Sequence, residues 1–214
     1  MKSKLINSEL STLLIEGLKT SAVWISASQQ EKLLQYVALL DKWNKTYNLT
    51  AVREPERMIG LHILDSLAVL PFLDAANVLD VGTGGGLPGI PLAIARPDLS
   101  ITMLDSLQKK TTFIRQAISE LALKNAWVVC ERVEQFQAPI KFTMVISRAF
   151  AELSDFVKGA AHLVAEDGRM FAMKGVYPHD EIARLPKTHQ VERVIELNVP
   201  QVEGERHLVV LKKV

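Results

Sequence analysis

A run of glycines directly after a short apolar segment constrains this chain more than any other feature. Residues 78–81 (VLDV) predict a buried strand, and the glycine run after it extends to Gly89. Residues 87–95 predict a helix. Because glycine has no Cβ, the backbone turns tightly and comes close to a ligand. A helix that follows presents unpaired N–H groups and the positive end of its dipole to an anionic ligand group. We therefore expect a ligand-binding loop at the end of this strand.

A second signal lies at the end of the next predicted strand. Residues 100–104 predict that strand, and Asp105 follows it, 25 residues after Asp80. A carboxylate at this place accepts hydrogen bonds from the hydroxyls of a ribose. The glycine run and the acid together predict an adenosine-type ligand in the crevice at the strand ends of a doubly wound sheet.

The glycine run fits more than one adenosine ligand. Gly84, Gly86 and Gly89 satisfy the G-x-G-x-x-G pattern of nicotinamide dehydrogenases. The D-x-G-x-G-x-G pattern that begins at Asp80 instead resembles the first motif of Rossmann-like S-adenosylmethionine methyltransferases. No Gly-Lys-Ser/Thr follows, which excludes a Walker loop. A nicotinamide-dependent oxidoreductase, a cofactor-binding regulator without catalysis and a glycine turn without a ligand stay open as alternatives.

Strand-like segments alternate with helical segments along the rest of the chain. The next predicted strands are residues 126–130, 142–146 and 169–173. A helix is predicted at residues 153–164, and residues 191–199 and 207–211 predict an antiparallel hairpin. Buried strands that alternate with amphipathic helices form βαβ units and a parallel sheet. We predict an α/β, Rossmann-like class I methyltransferase type of fold, with a mostly parallel seven-stranded sheet, a terminal antiparallel hairpin and an N-terminal helical extension.

Residues 1–74 are predicted to form a helical extension to a core of residues 75–214. Ser28 and Glu31 have the spacing of a capping box, and apolar side chains then recur at helical spacing. These are Leu33, Tyr36, Val37, Leu40, Trp43 and Tyr47, whose aromatic members we expect in the core. A second helix is predicted from Pro55 to near Pro71. Its buried stripe consists of Ile59, Ile63, Leu67 and Leu70.

Charge and cysteine content exclude several classes of protein. With 25 Lys+Arg, 24 Asp+Glu and a net charge of +1, the chain does not coat nucleic acid by bulk charge. One cysteine excludes a disulfide scaffold and a multi-thiolate metal site, and the histidines lack ligand spacing. Polar residues interrupt positions 5–18, so no export signal and no membrane span are predicted. We expect a cytoplasmic monomer without a metal.

Five motifs in one order carry a resemblance to the glucose-inhibited division protein B family. They are residues 43–50 (WNKTYNLT), 62–66 (HILDS), 80–91 (DVGTGGGLPGIP), 146–150 (ISRAF) and 204–207 (GERH). Members of this family methylate N7 of one guanine in bacterial 16S ribosomal RNA. The resemblance runs from about residue 30 to the C-terminus. It implies a class I methyltransferase fold, S-adenosylmethionine as cofactor, and 16S ribosomal RNA or the small-subunit particle as substrate.

The resemblance also implies roles for single residues. The cofactor-binding positions are Gly82, Gly84, Leu87, Asp105, Val133, Glu134 and Arg148. Among them Asp105 matches the ribose-binding acid, and Val133 and Glu134 match the pair that lines the adenine. Arg148 matches an arginine that faces the cofactor and the substrate pocket. Gly85 stands where some relatives carry proline, which we do not expect to affect binding.

The residue types fit methylation of a ring nitrogen. Guanine N7 carries a lone pair and no proton, so no general base is expected, and Arg148 has a positioning role. Methylation of an adenine amine uses an Asn/Asp-Pro-Pro-aromatic motif, where this chain has residues 147–150 (SRAF). Methylation of cytosine C5 needs a thiol nucleophile. Cys130, the single thiol, lies in an apolar strand and is predicted to be a core residue.

Basic residues near the strand ends are the predicted RNA contacts. They are Lys109, Lys110, Lys174, Arg206 and His207. Together with Arg148, the last three are expected to form a small positive rim, because phosphate contacts position a protein on nucleic acid. Phe150 is predicted to pack in the core rather than to stack on the target base. His62, Asp65 and Ser66 share one helical face, which leaves a structural network and a site contact equally open.

Overall fold

In the computed structural model, which describes residues 2–21, 23–74 and 76–214, seven strands form one sheet. They are β1 (Asn77–Val81), β2 (Ser100–Asp105), β3 (Ala126–Cys130), β4 (Phe142–Ser147), β5 (Val164–Lys174), β6 (His189–Glu196) and β7 (His207–Lys213). Their order across the sheet is β3-β2-β1-β4-β5-β7-β6. The first five strands are parallel, and β7 is antiparallel to both β5 and β6. The predicted mostly parallel sheet with a terminal hairpin is confirmed.

Helices precede the sheet and connect its parallel strands. They are α1 (Lys2–Thr20), α2 (Ala27–Tyr47), α3 (Pro55–Met58), a π-helix (Ile59–Leu64), α4 (Asp65–Leu67), α5 (Gly89–Ala95), α6 (Gln108–Glu120), α7 (Leu153–Ala160) and α8 (His179–Ala183). Short 3₁₀ turns span Leu70–Phe72 and Ala161–Leu163. Pro55 stands at the start of α3, as predicted, but the π-helix that follows was not predicted.

The alternation of side chains along the strands divides the apolar core into two layers. Val78 and Ile146 face the layer that contains the N-terminal helices, whereas Leu79 and Val145 face the layer that contains α7. All four are fully buried. A sheet covered on both faces explains why these strands read as continuous apolar runs.

Helix α2 begins two residues earlier than its predicted capping box. The box consists of Ser26 and Gln29, so the prediction from Ser28 and Glu31 is wrong. Gln29 Nε2 also donates to the carbonyl oxygens of Ile94 and Ala95, both at 2.9 Å. These two carbonyls end α5 and need donors. A contact distant in sequence therefore decides which of two similar caps is used.

The aromatic residues of α2 differ in their burial. Tyr36 is fully buried, as predicted, whereas Trp43 is only partly buried and Tyr47 is 40% exposed. The prediction of a core position is therefore wrong for Tyr47. Its ring stacks on Trp43 with 5.2 Å between the ring centroids. Tyr47 lies in the last turn of the helix, where the apolar stripe leaves the core.

Strand β5 begins earlier and helix α7 ends earlier than predicted. The helix predicted at residues 153–164 ends at Ala160, and β5 begins at Val164 rather than at residue 169. Phe142 pairs with Val164, and the register then shifts so that Met144 pairs with Arg169. A bulge breaks the alternation of side chains along a strand, which is why periodicity missed this part of β5.

Strand β3 lies at one edge of the sheet, which changes the environment of Cys130. The cysteine is partly exposed, so its predicted core position is wrong. Trp127 on the same strand is 51% exposed. An apolar run does not distinguish an edge strand from a central one, although only the central strand is covered on both faces.

The strand order reverses between β1 and β4, which are parallel neighbours near the middle of the sheet. The crevice outside the carboxyl ends of such strands is where doubly wound proteins bind ligands. Within the described ranges, no helix combines the length and the apolar character that a membrane span requires.

Candidate functional site

The glycine run forms a tight loop between β1 and α5. Gly82, Gly84 and Gly86 have φ angles of 67°, 61° and 90°, which only glycine adopts without strain. The Gly82 N–H donates to the Leu104 carbonyl at 2.8 Å and so joins the loop to β2. A Cβ on Gly82 would lie 2.6 Å from the Cβ of Ala149, closer than packing allows. The conformation and the contact with Ala149 both require glycine here.

Asp80, near the end of β1, anchors this loop through hydrogen bonds. It is fully buried, and its Oδ2 accepts hydrogen bonds from Thr83 Oγ1 at 2.6 Å and from the Gly89 N–H at 2.8 Å. Burial raises the pKa of Asp80 to about 6, although the hydrogen bonds from Thr83 and Gly89 and the charge of Arg148 oppose the shift. The sequence pattern included Asp80 as the first motif residue, but its anchoring contact with Gly89 was not predicted.

The N–H groups at the start of α5 are already used within the protein. The Gly89 N–H donates to Asp80, the Ile90 N–H to the Gly86 carbonyl, and the Leu92 N–H to the Pro88 carbonyl. Residues 88 and 91 are prolines and have no N–H. The expected anion site at this helix end is therefore wrong. A pyrophosphate-containing dinucleotide finds no free donor at residues 88–92, which counts against a nicotinamide cofactor.

Asp105 lies beside the glycine loop, as predicted. Its Oδ2 accepts from the Gly84 N–H at 3.0 Å and from Lys110 Nζ at 3.2 Å, and its Oδ1 accepts from the Leu107 N–H at 3.0 Å. Two carboxylate oxygens offer about four acceptor positions, so capacity for a ligand remains. Lys110 points into this site and pairs with the acid. Its predicted contact with RNA does not agree with that position.

A cavity of about 270 Å³, here called the first cavity, opens beside the loop. Gly82, Asp105, Val133 and Glu134, all predicted to bind the cofactor, line it. The other three predicted positions, Gly84, Leu87 and Arg148, do not. Gly84 acts through its bond to Asp105, and the side chain of Leu87 lies in the apolar core at 5% exposure.

Phe150 also lines the first cavity. Its ring is partly buried and packs against Phe156, with 5.2 Å between the ring centroids. The predicted packing role agrees with this contact, but the ring borders a cavity rather than lying within a closed core.

Arg148 lines a second cavity of about 260 Å³. The next two residues in the chain, Ala149 and Phe150, line the first cavity. Its Nη1 donates to Asp65 Oδ2 at 2.9 Å and to the Leu61 carbonyl at 3.3 Å. Arg148 therefore borders the second cavity rather than the first, where a cofactor contact was predicted.

The structure brings the predicted positive rim together, since Arg148, Lys174, Arg206 and His207 all line the second cavity. The rim is less positive than predicted. Arg206 Nε lies 3.3 Å from Asp65 Oδ1. Lys174 Nζ lies 2.7 Å from Glu181 Oε2 and donates to the carbonyls of Phe150 and Ala151. Three donors of an ammonium group are thus used within the protein, and the predicted RNA contact of Lys174 stays a prediction.

The remaining basic residues differ in exposure. Lys109 is exposed on α6, where a solvated helix face and an RNA contact both fit. His207 is 7% exposed, and its Nδ1 has no hydrogen-bond partner among the described residues. The ring of Tyr177 packs edge-on against His207, with 5.5 Å between the centroids.

The three polar residues of the HILDS motif have separate roles. Ser66 Oγ donates to the His62 carbonyl, and His62 Nε2 lies 2.8 Å from Thr50 Oγ1. Burial and then the Arg148 charge lower the pKa of His62 to about 4, so the ring is neutral near pH 7. His62 and Ser66 form a structural network, while Asp65 reaches the second cavity. No cluster of three or more metal-ligating side chains occurs in the part of the chain that the structure describes.

Comparison with known proteins agrees with this geometry. A model of the GidB family, described as rRNA small subunit methyltransferase G, matches residues 29–209. Ribosomal RNA small subunit methyltransferase G of Laribacter hongkongensis is 56% identical over 195 residues, or 91% of this chain and 94% of that protein. The protein of the same name from Nitrosospira multiformis is 50% identical over 209 residues, or 94% and 97% of the two chains.

Solved structures with low sequence identity share the fold. TrmN from Thermus thermophilus superposes with a TM-score of 0.58 at 18% identity, over 80% of this chain and 53% of that one. A SAM-dependent methyltransferase from Thiobacillus denitrificans, in complex with S-adenosyl-L-homocysteine, superposes with a TM-score of 0.50 at 12% identity, over 82% and 97%. The Rossmann-like methyltransferase fold that the sequence predicts is confirmed.

Proposed function

Because this chain belongs to the GidB family of rRNA small subunit methyltransferases G, we propose that it methylates N7 of one guanine in 16S ribosomal RNA. It is an enzyme that depends on S-adenosylmethionine. The position of the methyl group on the base and the roles of single residues belong to the proposal.

The first cavity, with its glycine loop, is the observation that carries the proposal. Its loop offers no free N–H to a phosphate at residues 88–92, and Asp105 stands at the strand end with spare acceptor capacity. A cofactor with a ribose and no phosphate fits this donor set better than a dinucleotide. In this proposal Gly82 permits close approach of the backbone, Asp105 binds the ribose hydroxyls, and Val133 and Glu134 border the adenine.

When bound, S-adenosylmethionine supplies an electrophilic methyl group on a positively charged sulfur. The protein then has to place N7 in line with that methyl group, because alignment of two reactants supplies much of the acceleration of such a reaction. N7 carries no proton, so no side chain has to remove one. Arg148 lines the second cavity, and Ala149, the next residue in the chain, lines the first. In this proposal Arg148 orients the guanine.

The second cavity is the proposed place of approach for the RNA. Arg206 and Arg148 border it, and Lys109 offers an exposed charge on α6. A net charge of +1 predicts weak binding to unstructured RNA and recognition that depends on shape. A ribosomal substrate implies work in the cytoplasm, and action as a monomer stays a prediction.

The helical extension of residues 1–74 and the core of residues 75–214 work as one unit in this proposal. Tyr36 on α2 donates its hydroxyl to the Gly85 carbonyl at 2.6 Å and so supports the glycine loop. Asp65 on α4 supports Arg148.

The test is methylation in vitro with labelled S-adenosylmethionine. Small ribosomal subunits and naked 16S RNA from a strain that lacks this protein serve as substrates, and the labelled base is mapped. We expect one labelled guanine, modified at N7. Label on another atom contradicts the N7 assignment. Calorimetry with S-adenosylmethionine and with NAD tests the cofactor, and binding of NAD alone would refute the proposal.

A further inference from the structure

One buried carboxylate joins two arginines at the mouth of the second cavity. Asp65 is 6% exposed, and its Oδ2 accepts from Arg148 Nη1 at 2.9 Å while its Oδ1 lies 3.3 Å from Arg206 Nε. The three residues come from α4, from the segment after β4 and from the approach to β7. A single carboxylate thus pairs with both arginines, through a hydrogen bond to Arg148 and through charge without a hydrogen bond to Arg206.

The π-helix before Asp65 explains how this carboxylate reaches both arginines. Residues Ile59–Leu64 form the wider helical turn, and the Asp65 N–H donates back to the Gly60 carbonyl. The Leu61 carbonyl accepts a second bond from Arg148 Nη1 at 3.3 Å. Single π-helical turns are rare and occur frequently at functional sites. Here the turn directs two acceptors, the Leu61 carbonyl and the Asp65 carboxylate, to one guanidinium nitrogen.

The contacts leave part of Arg148 for a substrate. A guanidinium has five N–H donors, and among the described residues Arg148 uses only Nη1. Its side chain is 24% exposed. The contacts at Nη1 therefore restrain the guanidinium and leave its other donors for a ligand of the second cavity, which Arg148 lines.

We propose that Asp65 is a positioning residue for methyl transfer, which holds the Arg148 guanidinium at the second cavity, one residue before the lining of the first, and pairs it with Arg206. This inference rests on the proposed function. Without the carboxylate, two guanidinium groups would repel each other in a half-buried site, and Arg148 would lose its strongest restraint. Asp65 itself takes no proton, because N7 has none to give.

The first test compares Asp65→Asn with the wild type on small ribosomal subunits. A misplacement of about 1 Å reduces rates by up to about 100-fold, so we expect kcat to fall by about 10- to 100-fold. The KM for S-adenosylmethionine should stay within about twofold, because Asp65 does not line the first cavity. Equal loss of kcat and of cofactor affinity would show a general structural role and overturn the proposal.

Glu192 provides a matched control. It also bridges two cations, with 2.8 Å to Arg169 Nε on β5 and 3.6 Å to Lys212 Nζ on β7. Glu192 itself lies on β6 and lines neither cavity. Glu192→Gln should leave kcat and both KM values unchanged. A kcat loss in this variant as large as that of Asp65→Asn would refute a specific role for Asp65.

Two further variants separate positioning from folding. Asp65→Glu keeps the charge and moves the carboxylate by one methylene, so we expect the melting temperature to stay close to that of the wild type and kcat to fall by about tenfold. Full activity of Asp65→Glu would overturn the proposal. In an Arg148→Ala background, Asp65→Asn should lower kcat by less than about twofold further, because residues that act together are not additive.

The same experiment keeps the two claims apart. If the wild type does not label the small subunit, the proposed function fails. If the wild type labels it and Asp65→Asn labels it at the same rate, only the role of Asp65 fails.

Discussion

The two cavities are of similar size, about 270 and 260 Å³, but they are built in different ways. Backbone conformation shapes the first cavity, through three glycines with positive φ and the bond from Gly84 to Asp105. Ion pairs shape the second, through Asp65 and its two arginines and through Lys174 and its glutamate. One site depends on glycine where a side chain would not fit, and the other depends on charges that balance.

The difference predicts different responses to mutation. A change of backbone conformation in the first cavity should affect cofactor binding, whereas a change of charge in the second should affect stability or methyl transfer and leave the cofactor in place. Each of the following predictions tests one side of this comparison.

The largest effect is expected for Gly82→Ala. A left-handed φ costs about 1–2 kcal/mol for other residues, and overpacking costs about 1–3 kcal/mol. The new Cβ would lie 2.6 Å from that of Ala149. We expect calorimetry to show a loss of S-adenosylmethionine affinity of about 100-fold or more. The melting temperature should fall as well, because the clash is with the protein and not only with the ligand.

Two variants control this prediction. Ala149→Gly in the same chain removes the contact and should restore part of the affinity, since the φ strain alone remains. Gly175→Ala, beside the second cavity, adds a Cβ that meets no atom of the other described residues within 4 Å, apart from its chain neighbours, and should leave cofactor affinity unchanged. Undiminished binding by Gly82→Ala would remove this glycine from the site.

Lys174→Met should act on stability rather than on the cofactor. The lysine side chain is 10% exposed and pairs with Glu181, and removal of one partner of a buried pair costs about 3 kcal/mol. Denaturant unfolding should show this loss while S-adenosylmethionine affinity stays unchanged. Lys109→Ala, at an exposed position, should not alter stability. Normal stability of Lys174→Met with weaker binding of small subunits would show that Lys174 contacts RNA after all.

The sequence predicted the first cavity better than the second for a physical reason. Four lining residues stand at or shortly after the end of a strand of a parallel sheet, and the carboxyl ends of such strands meet at one edge. They are Gly82, Asp105, Val133 and Glu134. Strand periodicity and turn chemistry are local properties, so the order of elements already places these residues together. The positions of Leu87 and Lys110 were missed because the fine conformation of the loop and of α6 decides where side chains point.

The second cavity depends on contacts that no local pattern encodes. Arg148, Lys174, Arg206 and His207 were expected near one another, because all four stand near strand ends or the hairpin. Their partners were not predicted. The carboxylate of Asp65 comes from a helix that precedes the sheet, and the π-helix that directs it has no sequence signal of its own. The capping box at Ser26 was missed for the same kind of reason, since its partner carbonyls lie on α5.

A smaller effect is expected for Asp105→Asn. Hydrogen bonds to a charged group contribute about 1.5–3 kcal/mol, and the Asn side chain keeps one acceptor oxygen. We therefore expect a loss at the lower end, about 1.5–2 kcal/mol, which lowers S-adenosylmethionine affinity by about 10- to 30-fold. Asp98→Asn provides the control, because Asp98 pairs with Arg96 at an exposed position outside both cavities. Its affinity should equal that of the wild type. If Asp105→Asn bound the cofactor normally, the acid would serve only to hold Gly84 and Lys110.

The smallest effect concerns pH and the fully buried Asp80. Its pKa is raised to about 6, so the charge is present at pH 7.5 and mostly lost at pH 5. The Asp80 charge would stabilise a nearby positively charged sulfur by about 1 kcal/mol, so we expect S-adenosylmethionine affinity to fall about fivefold from pH 7.5 to pH 5. Because burial raises this pKa, the folded chain is most stable with respect to Asp80 below the ordinary carboxyl pKa of 3.8, and that stability is lost as the pH rises from there through about 6. Protonation of Asp80 at pH 5 therefore does not destabilise the fold, so weaker cofactor binding at that pH would not result from unfolding. His62, with a pKa of about 4, stays neutral over this range.

Two controls isolate the charge effect. S-adenosylhomocysteine, which lacks the sulfonium charge, should show a smaller change of affinity with pH, and Asp80→Asn should show an affinity that does not change with pH. Equal pH dependence for both ligands would contradict the charge effect and leave Asp80 as an anchor of the glycine loop alone.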